Sequence, residues 1–249
     1  MARAVHHEDD NKKGMPEFNA KMNKEKYQTK FLLVCFLIGF LLFPACRQQE
    51  EQTQTGQADS VPGYDGTIIA VGDSLTAGLG VALEEAWPAL LQEKLLANGF
   101  NWQVINAGIS GETSSGTLSR IKWILARQPD VVILETGAND GLRGISTSVI
   151  KENIDQAVTA LQEGGATVVL AGMQIVMNLG AEYTGSFTEI YPQVANERQV
   201  ILIPFFLQDV AGEPALNQTD TIHPNPKGHE KIAETVFPYI LQAIQQNRR

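Results

Sequence analysis

The sequence predicts a single three-layer α/β/α sandwich with about five parallel strands. Hydrophobic residues make up 43% of the 249-residue chain, which is enough for a sizeable buried core. Short apolar runs alternate with segments of helical periodicity, and this order indicates strand–helix–strand units with right-handed crossovers. The apolar runs also lack polar–apolar alternation, as expected for strands that are buried on both faces.

The expected elements follow one another without an internal repeat. Strands are expected at residues 67–72, 102–106, 130–135, 167–172 and 200–203. Helices are expected at residues 86–98, 115–127, 149–163, 182–197 and 226–245. The first helix should stop before Gly99, and the last should begin with Asn225 as N-cap and Pro226 in its first turn.

The N-terminal segment has the pattern of an export signal. Residues 31–43 (FLLVCFLIGFLLF) carry no charge, three lysines precede them, and a small residue and Cys46 end the segment. Spanning a bilayer takes about 20 apolar residues, so the run is short for a membrane-spanning helix. Its end, FPAC, resembles a bacterial lipoprotein signal, in which the cysteine is lipidated. We therefore expect lipidation at Cys46, with an uncleaved signal anchor or ordinary secretion as the alternatives.

Three segments follow from this interpretation. Residues 1–46 are expected to be an N-terminal extension with the signal peptide, residues 47–64 a flexible polar tether, and residues 65–249 the folded domain. The protein is then an exported lipoprotein, attached to the membrane through Cys46 and facing the periplasm or the cell exterior. A soluble periplasmic protein is the alternative.

Charge and cysteine content exclude several classes of protein. The net charge is −9, and the negative charge lies in the body, where residues 47–249 carry twelve Lys/Arg and twenty-three Asp/Glu. A nucleic-acid partner is not expected, because such binding needs a basic face. The two cysteines, Cys35 and Cys46, are both close to the N-terminus, so a disulfide framework or cysteine zinc site is excluded for the body.

Small or polar residues follow four of the five expected strands. The carboxyl ends of parallel strands meet at one edge of the sheet, and ligands bind in the crevice beyond that edge, so these residues should share a site. They are Ser74 after the first strand, Gly108 after the second, Asn139 after the third, and Asp220 with His223 beyond the fifth.

These residues supply the parts of a nucleophilic ester hydrolysis. Ser74 is a nucleophile only if a base takes its proton, and His223, with Asp220 three residues before it, fits that role. The N–H groups of Ser74 and Gly108 and the amide of Asn139 could stabilise an oxyanion. Taken singly, the serine could be a turn residue, the histidine a structural one, the glycine a turn glycine and the asparagine a cap.

An acyl group would need an apolar wall beside Ser74. Residues near the expected strand ends that could form it are Leu75, Ile109, Leu142, Ile145, Ile175 and Met177. The alternative for each is that it merely covers the end of the sheet. No metal site is expected, because the acids near Ser74 are not accompanied by a histidine or carboxylate cluster.

Together, these segments resemble the GDSL, or SGNH, hydrolases over nearly all of residues 65–245. The resemblance is greatest to the bacterial periplasmic thioesterase/arylesterase/lysophospholipase branch and rests on GDSLTAG, AWPALL, NAGISGETSSG, GANDGLRG, IYPQVA, PFF and DTIHPN. It implies a flavodoxin-like α/β/α sandwich, no cofactor, and a small-molecule acyl ester or thioester as substrate. It also implies Ser74 as nucleophile, His223 as base and then acid, Asp220 as its orienter, and an oxyanion hole of Ser74, Gly108 and Asn139.

Two other functions remain open at this point. The same fold and chemistry could serve a carbohydrate or peptidoglycan O-acetylesterase, for which a narrow polar cleft would be expected. A non-catalytic lipoprotein that binds a ligand is the alternative of another class, although such a protein has no need of Ser74, Asp220 and His223 together.

Overall fold

A parallel five-stranded sheet runs through the computed structural model, which describes residues 63–175 and 179–247. Neighbouring strands lie in the order β2-β1-β3-β4-β5, and every pairing is parallel. The strands are β1 Gly66–Gly72, β2 Trp102–Gly108, β3 Val131–Glu135, β4 Thr167–Ala171 and β5 Ile201–Ile203. The predicted parallel sheet is thereby confirmed, with strand ends displaced by one or two residues.

The central strands are buried on both faces. Ile68 to Val71 in β1 and Val131 to Leu134 in β3 have no exposed surface. Helices cover both sides of these strands, so successive side chains meet apolar neighbours whichever way they point. This explains why the sequence shows continuous apolar runs rather than alternation.

Eight helices of the described residues surround the sheet. They are α1 Ser74–Ala77, α2 Trp87–Ala97, α3 Ser114–Ser119, α4 Ile121–Leu125, α5 Ala138–Leu142, α6 Thr147–Glu163, α7 Ala181–Arg198 and α8 Pro226–Asn247. Helices α2 and α8 pack together in one layer, and α6 packs against α3, α4 and α7 in the other. Asn225 accepts the N–H of Gly228 at 3.1 Å, which is the N-cap contact expected before α8.

The helical segments differ from the sequence prediction in two places. The helix expected at 115–127 is two short helices that meet at Arg120, whose guanidinium turns back to Glu112 at 2.6 Å and 2.7 Å. Helices α1 and α5, which directly follow β1 and β3, were not expected. They have four and five residues, too few to display a helical period.

The sheet order creates a crevice at one edge. Strand β1 is connected to β2 on one side and its other neighbour, β3, is connected to β4 on the opposite side. Ligands bind in open α/β sheets at such a point, beyond the carboxyl ends of the two strands whose connections diverge. Helices α1 and α5 begin there.

Several expectations fall outside the described residues. They are the extension and signal of residues 1–46 with Cys46, residues 47–62 of the tether, and Met177. Across residues 63–175 and 179–247, no helix combines the length and apolar character needed to cross a bilayer. This part of the chain also brings together no group of three or more His, Cys, Asp or Glu suited to a metal ion.

Candidate active site

Ser74 stands at the first position of α1, immediately beyond the carboxyl end of β1. Asp73 precedes it as the helix N-cap, and its Oδ1 accepts the N–H of Leu75 at 2.9 Å. Ser74 N–H has no acceptor among the described residues. The first N–H groups of a helix lack intrahelical partners, so this donor is available to a ligand.

His223 meets Ser74 although 149 residues separate them along the chain. Its Nε2 lies 3.0 Å from Ser74 Oγ, and its Nδ1 lies 2.6 Å from Asp220 Oδ2. An ionised Asp220 can only accept, so Nδ1 carries the hydrogen and the lone pair of Nε2 faces the hydroxyl. The arrangement can therefore take a proton from Ser74.

The carboxylate of Asp220 is prepared for this role by the backbone around it. Its Oδ1 accepts the N–H groups of Ile222 and His223 at 2.9 and 3.0 Å. Bonds from the backbone and side chain of His223 and from the backbone of Ile222 lower the pKa of Asp220 to about 2. Asp220, whose side chain is 45% exposed, therefore stays ionised to well below neutral pH.

The loop that carries His223 is held by contacts at both ends. Asn217 and Pro224 form an antiparallel bridge, and Gln218 N–H donates to the carbonyl of His223 at 2.8 Å. The side-chain amide of Gln218 also donates to the carbonyl of Leu79, just after α1, at 2.7 Å. This last contact ties the histidine loop to the segment that carries the serine.

Asn139 lies beside Ser74 with its side-chain amide already engaged. Its Nδ2 donates to Asp73 Oδ2 at 2.9 Å and to the carbonyl of Glu112 at 3.0 Å. The amide is thus held at the crevice, but an oxyanion would have to share one of these two N–H groups.

The N–H of Gly108, expected to donate to the oxyanion, already has another acceptor. Its N–H donates to Oδ1 of Asn106 at 2.9 Å, and it lines a separate cavity with Asn106 and Leu83. Its Cα packs so closely on α1 that a Cβ would overlap the backbone of Thr76 and Ala77. A glycine is therefore needed here for the close contact between β2 and α1. Its N–H is bonded to Asn106 and is not available to an oxyanion.

Gly111 is not among the residues predicted from the sequence, but its N–H has no acceptor among the described residues. Residues 109–112 form a β-turn in which Glu112 N–H donates to the carbonyl of Ile109 at 3.1 Å. Gly111 occupies the third turn position with φ +78, which favours glycine. The neighbouring carbonyl of Glu112 contacts Asn139, so this turn lies against the site. The segment NAGISG contains both glycines, and only the turn geometry distinguishes their N–H groups.

A largely apolar cavity of about 430 Å³ opens beside Ser74 and His223. Its volume falls within the range of small-molecule sites. Its apolar side chains include Leu75, Leu142, Met173, Ile175, Leu207 and Ile222. The cavity can therefore receive an apolar chain next to the serine hydroxyl.

The cavity contains half of the expected apolar wall. Leu75, Leu142 and Ile175 line it. The side chains of Ile109 and Ile145 are 50% and 38% exposed and do not line it. The hydroxyl of Tyr183 donates to the carbonyl of Ile145, and the N–H of Ile109 donates to the carbonyl of Gly72. Met173, Leu207 and Ile222 were missed because they come from the end of β4 and from long loops whose path the sequence does not reveal.

With this geometry in place, comparison with known proteins identifies the family. A model of the GDSL-like lipase/acylhydrolase family matches residues 70–231. Arylesterase from Vibrio mimicus is 40% identical over 178 residues, which cover 71% of this chain and 89% of that protein. The chain belongs to the GDSL-like lipase/acylhydrolase family. Thioesterase 1/protease 1/lysophospholipase L1 of Escherichia coli (strain K12) is 38% identical over 173 residues, covering 68% of this chain and 80% of that protein.

The fold of a solved relative agrees with this family. The crystal structure of the psychrotrophic esterase EstA from Pseudoalteromonas sp., inhibited by monoethylphosphonate, matches with a TM-score of 0.70 at 37% identity and covers 73% of this chain and 100% of that chain. The chain is therefore an enzyme, a serine esterase of the SGNH type that acts on small-molecule esters. This excludes the non-catalytic ligand-binding lipoprotein.

Proposed function

We propose that Ser74 is the nucleophile of this esterase, with His223 as its base and Asp220 as the group that orients the imidazole. The observation that carries the proposal is the continuous chain of contacts from Asp220 Oδ2 through His223 to Ser74 Oγ, at 2.6 and 3.0 Å. His223 takes the serine proton as Ser74 attacks the acyl carbonyl, and returns it to the departing alcohol or thiol. Water then resolves the acyl-enzyme, with His223 again as base.

The oxyanion formed in each step needs fixed donors, and losing one typically costs about 10²–10³ in rate. We assign this role to the N–H groups of Ser74 and Gly111, neither of which has an acceptor in the described part of the chain, and to the Nδ2 of Asn139. Gly108 is not included, because its N–H is bonded to Asn106.

The substrate class we propose is carboxylic esters and thioesters with an apolar acyl chain, including aryl esters and lysophospholipids. The apolar lining of the cavity beside Ser74 supports an acyl chain over a polar acetylated sugar. Two relatives are named arylesterase and thioesterase 1/protease 1/lysophospholipase L1, which supports the same range. A strong preference for acetyl esters of carbohydrates in a panel of acyl esters, acyl thioesters and lysophospholipids would instead favour the O-acetylesterase.

The nucleophile is tested with Ser74→Ala and the matched control Ser148→Ala, an exposed serine at the start of α6. Hydrolysis of p-nitrophenyl esters and labelling by a fluorophosphonate should both be lost in Ser74→Ala and kept in the control, with circular dichroism unchanged in both. Near-native turnover by Ser74→Ala would falsify the assignment.

We also propose that the protein is exported and attached to the membrane through a lipidated Cys46. The support is the run of basic residues, apolar residues 31–43 and the FPAC sequence. In cells fed a labelled fatty acid, the full chain should acquire label and partition with membranes. Cys46→Ser should abolish both and Cys35→Ser neither. Unchanged labelling of Cys46→Ser would refute lipidation at this residue.

A further inference from the structure

Glu135 is a fully buried acid directly behind the serine, and the proposed reaction does not use it. It is the last residue of β3, the strand next to β1. Its Oε2 accepts the N–H of Asp73 at 3.0 Å and the hydroxyl of Thr76 at 2.9 Å. These two donors flank Ser74, so a single oxygen holds both the N-cap and the first turn of α1.

The other oxygen of Glu135 has no hydrogen-bond partner among the described residues although it is buried. As part of a carboxylate it would be an unsolvated charge, which is costly in a protein core. As part of a neutral acid it could carry the proton and act as a donor. Asp73, whose N–H is bonded to the other oxygen of Glu135, is the neighbouring acid.

Asp73 makes the contacts of an ionised acid. Its Oδ1 accepts the N–H of Leu75, and its Oδ2 accepts Nδ2 of Asn139 at 2.9 Å. Burial raises the pKa of both carboxyl groups, but that of Glu135 is raised well above its ordinary range, by burial and by the charge of Asp73. Two adjacent buried carboxyls cannot both ionise readily, so Glu135 takes the proton that the pair retains.

We propose that Glu135 is a positioning residue for ester hydrolysis. As a neutral acid it accepts from Asp73 N–H and the hydroxyl of Thr76, and it adds no second charge beside the Asp73 carboxylate. Asp73 then remains ionised and holds the amide of Asn139 beside Ser74. This inference rests on the proposed function, since it acts through Ser74 and Asn139. Glu135 itself touches no substrate.

The protonation of Glu135 is tested by infrared difference spectroscopy of the wild-type protein against Glu135→Gln at neutral pH. We expect the variant to lack one carbonyl band of a protonated carboxylic acid. Loss of a carboxylate band instead would overturn the inference, whatever the activity of the variant.

The positioning role is tested by kinetics with two replacements. Glutamine keeps an acceptor for Asp73 N–H and Thr76 and is neutral like the protonated acid, so Glu135→Gln should retain kcat within about threefold. Leucine provides neither, so Glu135→Leu should lower kcat by about 10²-fold through misplaced donors. KM should change little in both, because Glu135 does not line the substrate cavity.

Controls separate this role from a general loss of stability. Leu95→Ala creates a cavity in the core under α2, away from the site, and should lower the melting temperature while leaving kcat unchanged. Wild-type kcat in a folded Glu135→Leu protein would overturn the positioning role while Ser74→Ala remains inactive. If Ser74→Ala is active, it is the proposed function that fails. Should Glu135→Leu not fold, the infrared spectrum of Glu135→Gln decides.

Discussion

His229 gives a quantitative test of how the C-terminal helix is joined to the rest of the domain. It is buried in α8, and its Nδ1 accepts the N–H of Trp87 at 3.3 Å. Burial lowers the pKa of His229 from 6.5 to about 4, with smaller effects of Glu85, which raises it, and His223, which lowers it. Asparagine can place its Oδ1 near the position of Nδ1, so His229→Asn removes the titration and keeps an acceptor for Trp87.

Whether the free energy of unfolding rises or falls with pH depends on how many protons His229 binds in the folded and in the unfolded chain. Above pH 6.5 the imidazole is neutral in both the folded and the unfolded chain, and its contribution to stability is fully present. Between pH 6.5 and about 4 the unfolded chain binds a proton that the folded protein does not, so the free energy of unfolding falls as the pH falls. A difference of about 2.5 pH units at ~1.4 kcal/mol per unit amounts to about 3 kcal/mol.

Thermal and urea unfolding of the wild-type protein and His229→Asn at several pH values measures this contribution. Other groups titrate equally in both proteins, so their difference isolates His229. On going from about pH 7 to pH 4 the wild type should lose about 3 kcal/mol more than the variant, or ~6–12 °C more in melting temperature. Parallel stability curves for the two proteins would refute a buried, neutral His229.

Three further predictions concern the site. Asp220→Asn should lower kcat/KM for p-nitrophenyl esters by about 10²-fold or more, because an amide does not hold the hydrogen on Nδ1 of His223. The exposed control Asp209→Asn should behave as wild type. Gly108→Ala should lower kcat by at least about tenfold, since the new Cβ would overlap the backbone of α1 and displace Ser74. A variant with wild-type kcat would show that this contact tolerates a methyl group. Leu142→Ala and Ile175→Ala should each reduce kcat/KM for a long-chain ester relative to the acetate by about tenfold, whereas the control Ile109→Ala should not. If all three variants show the same dependence on chain length, Leu142 and Ile175 do not belong to the acyl site.

The elements that the sequence predicted well are those in which local pattern and tertiary environment agree. The apolar runs of β1 and β3 are buried on both faces, so their composition alone marks them as central strands. The helix expected at 115–127 is divided at Arg120, whose guanidinium turns back to Glu112 and to the carbonyl of Gly72. The contact with Gly72 joins segments 48 residues apart, so no local pattern predicts it. Helices α1 and α5 are set by their position at strand ends rather than by periodicity.

The candidate site divides in the same way. Ser74, Asp220 and His223 could be selected from the sequence, because their chemical types are specific and parallel strands end at one edge of the sheet. Gly108 and Gly111 could not be told apart, because an N–H is free or bonded according to the turn around it. The cavity wall was half predicted, since Met173 and Leu207 reach it along loops of irregular path.

Apolar periodicity and side-chain chemistry are local properties, and they were enough to predict the strand–helix alternation, the parallel sheet and the residue types of an esterase. The folded structure was needed to show which donors face the serine and that an imidazole 149 residues away reaches Ser74 Oγ at 3.0 Å. It was also needed to show that one oxygen of the buried Glu135 has no hydrogen-bond partner among the described residues. The reason is physical: hydrogen bonds and carboxyl pKa values depend on distances of a few ångströms between segments far apart in the chain, and packing alone sets those distances.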